Sequence, residues 1–301
     1  MYTKILVPLD GSGLSESILP YVRALAKALQ VPVELLHGID PETIKTLSDP
    51  GQGRYVDVIE ADMKSNGLAY LKKVAASFNE PSMVHPIAEI GKPAELIVDR
   101  AAAQTGTLIA MATRGRSGVQ RWLLGSVADK VLHAAANPLL LVRANEGGKT
   151  SGEVTLNTVV VPLDGSPLAE SVLPHIAALA KRMKLEVVLL RVHSLVAESY
   201  FADEYTPNVQ RISEEIRQEA RAYLERKVLQ VQAEGLDKVS SVLLEGNAGA
   251  EIVSFAKATS NNLVAMTTHG RSGVTRWMLG SVAEKVVKHS GDPVLVVRAA
   301  T

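Results

Sequence analysis

The chain repeats itself, and that repeat limits its architecture more than any other feature. Ile5-Leu6-Val7-Pro8-Leu9-Asp10-Gly11-Ser12 returns as Val159-Val160-Val161-Pro162-Leu163-Asp164-Gly165-Ser166, an offset of 154 (164 − 10). Gly115-Arg116-Ser117-Gly118-Val119 returns as Gly270-Arg271-Ser272-Gly273-Val274, now at an offset of 155 (270 − 115). Arg121-Trp122 matches Arg276-Trp277, Gly125-Ser126-Val127-Ala128 matches Gly280-Ser281-Val282-Ala283, and Pro138 and Arg143 match Pro293 and Arg298. The matches span each half, so the chain reads as a tandem duplication of one domain. Its 301 residues suit two domains of ordinary size. The stretch Asn145 to Glu153 is polar, Gly-rich and aperiodic, which marks a flexible linker. The expected organisation is a domain over 1–145, a linker over 146–155 and a second domain over 156–301.

Within the first half, the apolar run Ile5 to Leu9 predicts a buried strand, and Leu14, Ile18, Val22, Leu25 and Leu29 follow at helical spacing. Val33 to Leu36, Val84 to Ile90, Thr107 to Ala112 and Leu139 to Val142 predict four more strands. Helices are expected over about Asp57 to Phe78, with Ile59, Met63, Leu71 and Val74 inward, and over Ala94 to Ala103 and Ser126 to Ala135. The second half follows the same order, with strands over Thr158–Leu163, Val187–Val192, Val239–Leu244, Leu263–Thr267 and Val294–Val297. Aromatic residues make up only 4% of the chain, so the core must rest on Val, Leu, Ile and Ala, as suits parallel strands covered on both faces. The expected class is α/β: two tandem open parallel five-stranded sheets in order 3-2-1-4-5, with helices on both faces. That order puts a topological switch between the first and fourth strands, where ligands of such sheets bind.

Charge excludes several partners. Lys plus Arg equals Asp plus Glu, 32 against 32, so no global basic field attracts nucleic acid. The acids and bases of Glu214 to Lys227 alternate, which describes a solvated helix face. With no cysteine there is no disulfide or thiol chemistry. No apolar run approaches the ~20 residues of a membrane span, and the opening Met1-Tyr2-Thr3-Lys4 runs straight into a strand, so a cytoplasmic location is expected. No paired histidine spacing suggests a metal, no Ser/His/Asp set can be assembled, and Gly148-Lys149-Thr150 has Arg143 where a P-loop needs glycine.

Two polar clusters fall at the switch point: Asp10-Gly11-Ser12 after the first strand, and the stretch from Thr113-Arg114-Gly115-Arg116-Ser117-Gly118 to Gly125-Ser126 after the fourth. Glycines let backbone amides approach a phosphate without a Cβ in the way, and adjacent amides in a turn form an anion nest. A serine at a helix start adds a hydroxyl, unpaired amides and the positive end of the helix dipole. Read without a ligand, the same residues are ordinary turn and capping residues. His269 replaces Arg114 in the second half and reads as a polar loop residue. Trp122 and Trp277 read as packing residues.

Val-Pro-Leu-Asp-Gly-Ser near the start, followed by Gly-Arg-Ser-Gly and, further on, Gly125-Ser126-Val127, resembles the universal stress protein family over both halves. The resemblance implies an adenine nucleotide alpha hydrolase-like fold and binding of ATP, or of AMP or ADP, with or without Mg. It implies that Pro8 and Asp10 lie by the nucleobase and ribose with Gly38 near the base, that Met111 and Ala112 line the ribose–phosphate path, and that Gly115, Arg116, Gly118, Gly125, Ser126 and Val127 hold the phosphates. In the second half the corresponding residues are Pro162, Asp164, Val192, Met266, Thr267, Gly270, Arg271, Gly273, Gly280, Ser281 and Val282. The first glycine of the family motif is replaced by Ala112 and by Thr267, and a Cβ there crowds the approach to ribose or phosphate. The first half is therefore expected to bind at least as well as the second, although Gly38 stands where the family covers the base with an apolar side chain and works against that order.

The resemblance implies a stress-response nucleotide sensor with at most slow ATP hydrolysis, its two halves forming a built-in pseudo-dimer that could pair further as a homodimer. The alternative within the family is an interaction module that needs no nucleotide. A third class, an adenylyl-transferring enzyme, has no signature in the sequence.

Overall fold

The computed structural model describes residues 2–47, 56–114, 124–144, 152–193, 209–269 and 279–298. The chain divides into two compact units, Met1–Thr155 and Leu156–Thr301. In the first unit β1 (Lys4–Pro8) leads to the one-turn α1 (Gly13–Glu16), α2 (Leu19–Leu29), β2 (Val33–Ile39), α3 (Pro41–Leu47), α4 (Val56–Ala75), β3 (Val84–Ile90), α5 (Pro93–Ala102), β4 (Thr107–Arg114), α6 (Ser126–Ala134) and β5 (Leu139–Ala144). The strands run parallel in the order β3-β2-β1-β4-β5. Right-handed crossovers put α2 and α4 on one face and α5 and α6 on the other, and α5 packs against α6. Ile5, Leu6 and Val7 of the central strand are fully buried, as a strand covered on both faces requires.

The second unit repeats this plan with β6 (Thr158–Pro162), α7 (Pro167–Glu170), α8 (Leu173–Met183), β7 (Glu186–His193), α9 (Val209–Ala233), β8 (Val239–Glu245), α10 (Ala248–Ala258), β9 (Asn262–Thr267), α11 (Ser281–His289) and β10 (Val294–Val297). Its strands are parallel in the order β8-β7-β6-β9-β10.

Three differences from the sequence expectation have physical causes. The helix expected from Leu14 to Leu29 is two helices, because the Ser17 hydroxyl takes the Leu14 carbonyl at 2.7 Å and Pro20, near the start of α2, has no amide to continue α1. The second unit breaks at the same place, with Ser171 bonding the Leu168 carbonyl at 2.7 Å. In α4, Leu71 and Val74 are buried, while Ile59 and Met63 are only half-buried. Gly67 is also buried, packed so closely that a Cβ would stand 2.7 Å from the His37 ring. Finally, Gly152 to Val154 of the expected linker are fastened to the first unit. The Gly152 carbonyl accepts from Arg23 at 3.0 Å, the Glu153 carboxylate meets Lys27 at 3.1 Å and Asn79 at 2.9 Å, and the Val154 amide reaches the Pro20 carbonyl at 3.4 Å.

Candidate functional site

The carboxyl ends of β1 and β4 open onto a cavity of about 240 Å3 in the first unit. The turn after β1 is set by Asp10, whose Oδ1 accepts from the Ser12 amide at 2.9 Å and the Ser12 hydroxyl at 2.6 Å. Gly11 sits at φ +84°, a left-handed conformation that glycine adopts without strain. Ser12 then caps α1 by accepting from the Ser15 amide, and the Ser15 hydroxyl donates to the Ser12 carbonyl at 2.9 Å. The second unit repeats the turn, with Asp164 Oδ1 accepting from the Ser166 amide at 2.9 Å and the Ser166 hydroxyl at 2.6 Å. Burial pushes the Asp10 carboxyl up, but the hydrogen bonds from Ser12 and Ser15 outweigh it and hold the group below its ordinary value. Asp10 is thus an anion at neutral pH, with its orientation fixed by its own turn.

Across the cavity, α6 begins at Gly125, which is the N-cap and offers no side chain to the first-turn amides. Ser126 is the first helical residue rather than the cap. Gly280 plays the same part for α11. The early amides of a helix have no partner inside it and carry the positive end of its dipole, so a helix start left uncapped by its own side chain suits an anion. Gly280 also sits close to the chain leaving β9: its amide donates to the Thr268 carbonyl at 2.8 Å, and a Cβ would stand 3.0 Å from that oxygen, a tight contact.

Of the residues expected at the site, Pro8, Asp10, Gly38, Met111, Ala112, Gly125, Ser126 and Val127 all line the first cavity. Pro162, Asp164, Val192, Met266, Thr267, Gly280, Ser281 and Val282 line an equivalent cavity of about 270 Å3 in the second unit. Gly115, Arg116, Gly118, Gly270, Arg271 and Gly273 lie outside the described residues. Among the described residues no cluster of three or more His, Cys, Asp or Glu could hold a metal ion.

The structure adds residues that the sequence reading missed. Leu36, Pro93 and Ile97 form an apolar wall of the first cavity, matched by Leu190, Ala248 and Ile252 in the second. They come from the strand beside β1 and from the helix after the third strand, so no local motif announces them. Pro93 also changes the meaning of Gly38. A Cβ on Gly38 would meet the Pro93 Cα at 3.3 Å and the Leu96 side chain at 3.4 Å, so the space of the missing side chain is already filled from α5. Where Val192 supplies a side chain, the helix carries Ala248 instead. The glycine therefore does not leave that end of the cavity open. Thr267 donates its hydroxyl to the His269 carbonyl at 2.7 Å, which secures the chain as it leaves β9. His269 lines the second cavity, with Nδ1 3.0 Å from the Thr268 hydroxyl and a buried Nε2 that has no hydrogen-bond partner among the described residues.

Each cavity joins an apolar cleft, a pre-set carboxylate and an uncapped helix start at the carboxyl end of a parallel sheet. Comparison with known proteins gives this arrangement a lineage. The family model for the Universal stress protein family matches residues 1–143 and again 155–298. A universal stress protein of Mycolicibacterium smegmatis is 26% identical over 297 residues, covering 98% of this chain and 96% of that protein. A universal stress protein of Methanocaldococcus jannaschii is 33% identical over 148 residues, 49% of this chain and 85% of that one. Among solved structures, a universal stress protein from Archaeoglobus fulgidus superposes with a TM-score of 0.71 at 21% identity, covering 99% of this chain and 98% of that one, a likeness of fold. With both halves matched, the chain belongs to the universal stress protein family and carries its domain twice.

Proposed function

We propose that each unit binds an adenine nucleotide, ATP or a shorter relative, and that the chain acts as a nucleotide-responsive sensor or regulator in a stress response. The observation that carries this reading is the pairing, within one cavity, of the Asp10 carboxylate with the uncapped start of α6, repeated by Asp164 and the start of α11. The first partner suits ribose hydroxyls, because a carboxylate only accepts hydrogen bonds. The second suits phosphate. The apolar wall of Leu36, Pro93 and Ile97 between them suits a base. The residues present therefore fit the nucleotide, and Ser126 and Val127, with Ser281 and Val282, would present amides to its phosphates. A magnesium ion, if carried, would be held by those phosphates, since the described residues offer no metal cluster of their own. The Ser12 hydroxyl, 2.6 Å from the Asp10 carboxylate, is engaged in the turn that caps α1, and the role proposed for the site is binding and sensing.

Thermal denaturation of the full chain with and without ATP and magnesium tests it. A ligand at ~100 times its dissociation constant stabilises the native state by about 2.7 kcal/mol, so the melting temperature should rise with ATP concentration. No shift at millimolar ATP, together with no heat of binding by calorimetry, would remove the nucleotide reading and leave the interaction module.

A further inference from the structure

We propose that Tyr70 and Tyr223 are positioning residues for the Asp10 and Asp164 ends of the two cavities, and thus for the hydroxyl-bearing sugar of a bound nucleotide. The proposal rests on the nucleotide reading above and adds to it two residues that neither line the cavities nor belong to any motif.

The tyrosine-to-glutamate bond is present in both units. Tyr70 on α4 donates its hydroxyl to Glu16 Oε1 at 3.0 Å, and Glu16 is the last residue of α1. Tyr223 on α9 donates to Glu170 Oε1 at 2.8 Å, and Glu170 is the last residue of α7. A helix of four residues cannot hold itself in place, since a single turn does not offset the cost of nucleation. Something outside it must fix α1, and α1 carries the turn that orients the carboxylate. The Asp10 amide donates to the Ser15 hydroxyl at 3.3 Å, Ser15 returns to the Ser12 carbonyl, and Ser12 holds the Asp10 carboxylate. One residue further along, Glu16 is tied to Tyr70. Burial, then the Glu16 partner and the Asp10 charge, push the Tyr70 hydroxyl well above its ordinary value. Tyr223 is raised in the same way by burial, Glu170 and Asp164. Both rings therefore stay protonated donors, and each lies within electrostatic reach of the carboxylate it positions.

Retention across the duplication argues against mere packing, because the surroundings have changed. Ser15 is Ala169 in the second unit. The edge of His37, 6.2 Å from the Tyr70 ring, gives way to Arg191 at 4.8 Å from the Tyr223 ring. Lys227 now shares Glu170 at 2.7 Å. The hydroxyl-to-carboxylate bond persists through all three changes.

The test uses the full chain and two probes, ATP and 2′,3′-dideoxy-ATP, measured by calorimetry. In the wild type, ATP should bind tighter than the dideoxy form. In Tyr70→Phe/Tyr223→Phe, ATP affinity should fall about five-fold, the effect of about one hydrogen bond, with little change for dideoxy-ATP, so the ratio moves toward one. Glu16→Gln/Glu170→Gln should move the ratio in the same direction and serves if the phenylalanine variant does not fold. Equal losses for both probes, or an unchanged ratio in folded protein, would overturn the positioning role. A wild-type ratio of one would do so too, because the carboxylates would then not hold the hydroxyls. A wild type that binds neither probe would instead remove the nucleotide reading itself.

Discussion

Glu34 offers a sharp test of how the two units came to differ. In the first unit its carboxylate takes Lys4 at 3.2 Å on one oxygen and Arg100 at 2.5 Å on the other, and Arg100 also reaches Glu89 at 2.9 Å. The Lys4 and Glu34 side chains are 10% and 13% exposed. Strand register pairs Lys4 with Thr107 as it pairs Thr158 with Asn262, and Gly38 with Glu89 as it pairs Val192 with Leu244. In the second unit the four charges are thus Thr158, Val188, Leu244 and Phe255. Glu34→Gln removes the shared anion and leaves Lys4 buried without a countercharge. Breaking a buried pair this way costs about 3–5 kcal/mol, and the low end applies because Arg100, 31% exposed, keeps Glu89. At about 2–4 °C per kcal/mol for a domain of this size, the first unit should melt about 6–12 °C earlier. Glu89 is 43% exposed, so Glu89→Gln should cost no more than about 1 kcal/mol. The combined change Lys4→Thr/Glu34→Val/Glu89→Leu/Arg100→Phe should come within about 1 kcal/mol of wild type or exceed it, since the uncharged set that the second unit carries replaces a partly buried ion cluster at little loss. It removes two charges of each sign, so the net charge is unchanged. Differential scanning calorimetry, with hydrogen exchange to assign the transition to the first unit, reads all three variants. If the four-fold replacement is less stable than Glu34→Gln, the reasoning fails.

Two further outcomes follow from the site. Gly280→Ala places a Cβ 3.0 Å from the Thr268 carbonyl, which should cost about 1–3 kcal/mol by overpacking and, on the proposed function, lower the calorimetric stoichiometry from two nucleotides to one. Asp10 lies below its ordinary value in the folded state, so its contribution to stability is complete above about pH 4 and is lost as pH falls through the depressed value. Ser12→Ala should raise the Asp10 value in an NMR carboxyl titration and lower neutral-pH stability by about 1 kcal/mol for the lost cap. An unmoved Asp10 titration would refute the role given to Ser12.

How much was legible in the sequence depended on whether the information was local. The apolar run Ile5 to Leu9 and its copy announced buried central strands because burial on both faces leaves no room for polar alternation. The Asp10 turn and the Gly125 helix start were legible because each works through neighbours two to four residues away. The cavity wall was not. Pro93 and Ile97 reach it only because β3 returns beside β2 and sends α5 across the sheet, and no window around Pro93 contains that fact. Gly38 misled for the same reason, since its meaning depends on Pro93, far along the chain. The break between α1 and α2 was written locally, in Ser17 and Pro20, but the apolar spacing through Leu14 and Leu25 spoke for a continuous helix and overrode it.

Duplication supplies a comparison within one chain. Two copies of a domain share a scaffold at the outset, so sameness alone carries little weight, and sameness amid change carries more. The ion cluster around Glu34 has no charged counterpart in the second unit, where Thr158, Val188, Leu244 and Phe255 stand at its four positions, so the sheet forms with or without it. The cavity wall beside β2 differs as a pair, Gly38 with Pro93 in one unit and Val192 with Ala248 in the other, so that a side chain fills the same space from the helix or from the strand. Against that background the Asp–Ser turn keeps its two hydrogen bonds at the same lengths in both units, and the tyrosine behind it keeps its carboxylate. What the two units share is one carboxylate at each cavity, tied by the same serine and backed by the same tyrosine, which is the arrangement the proposed nucleotide reading requires.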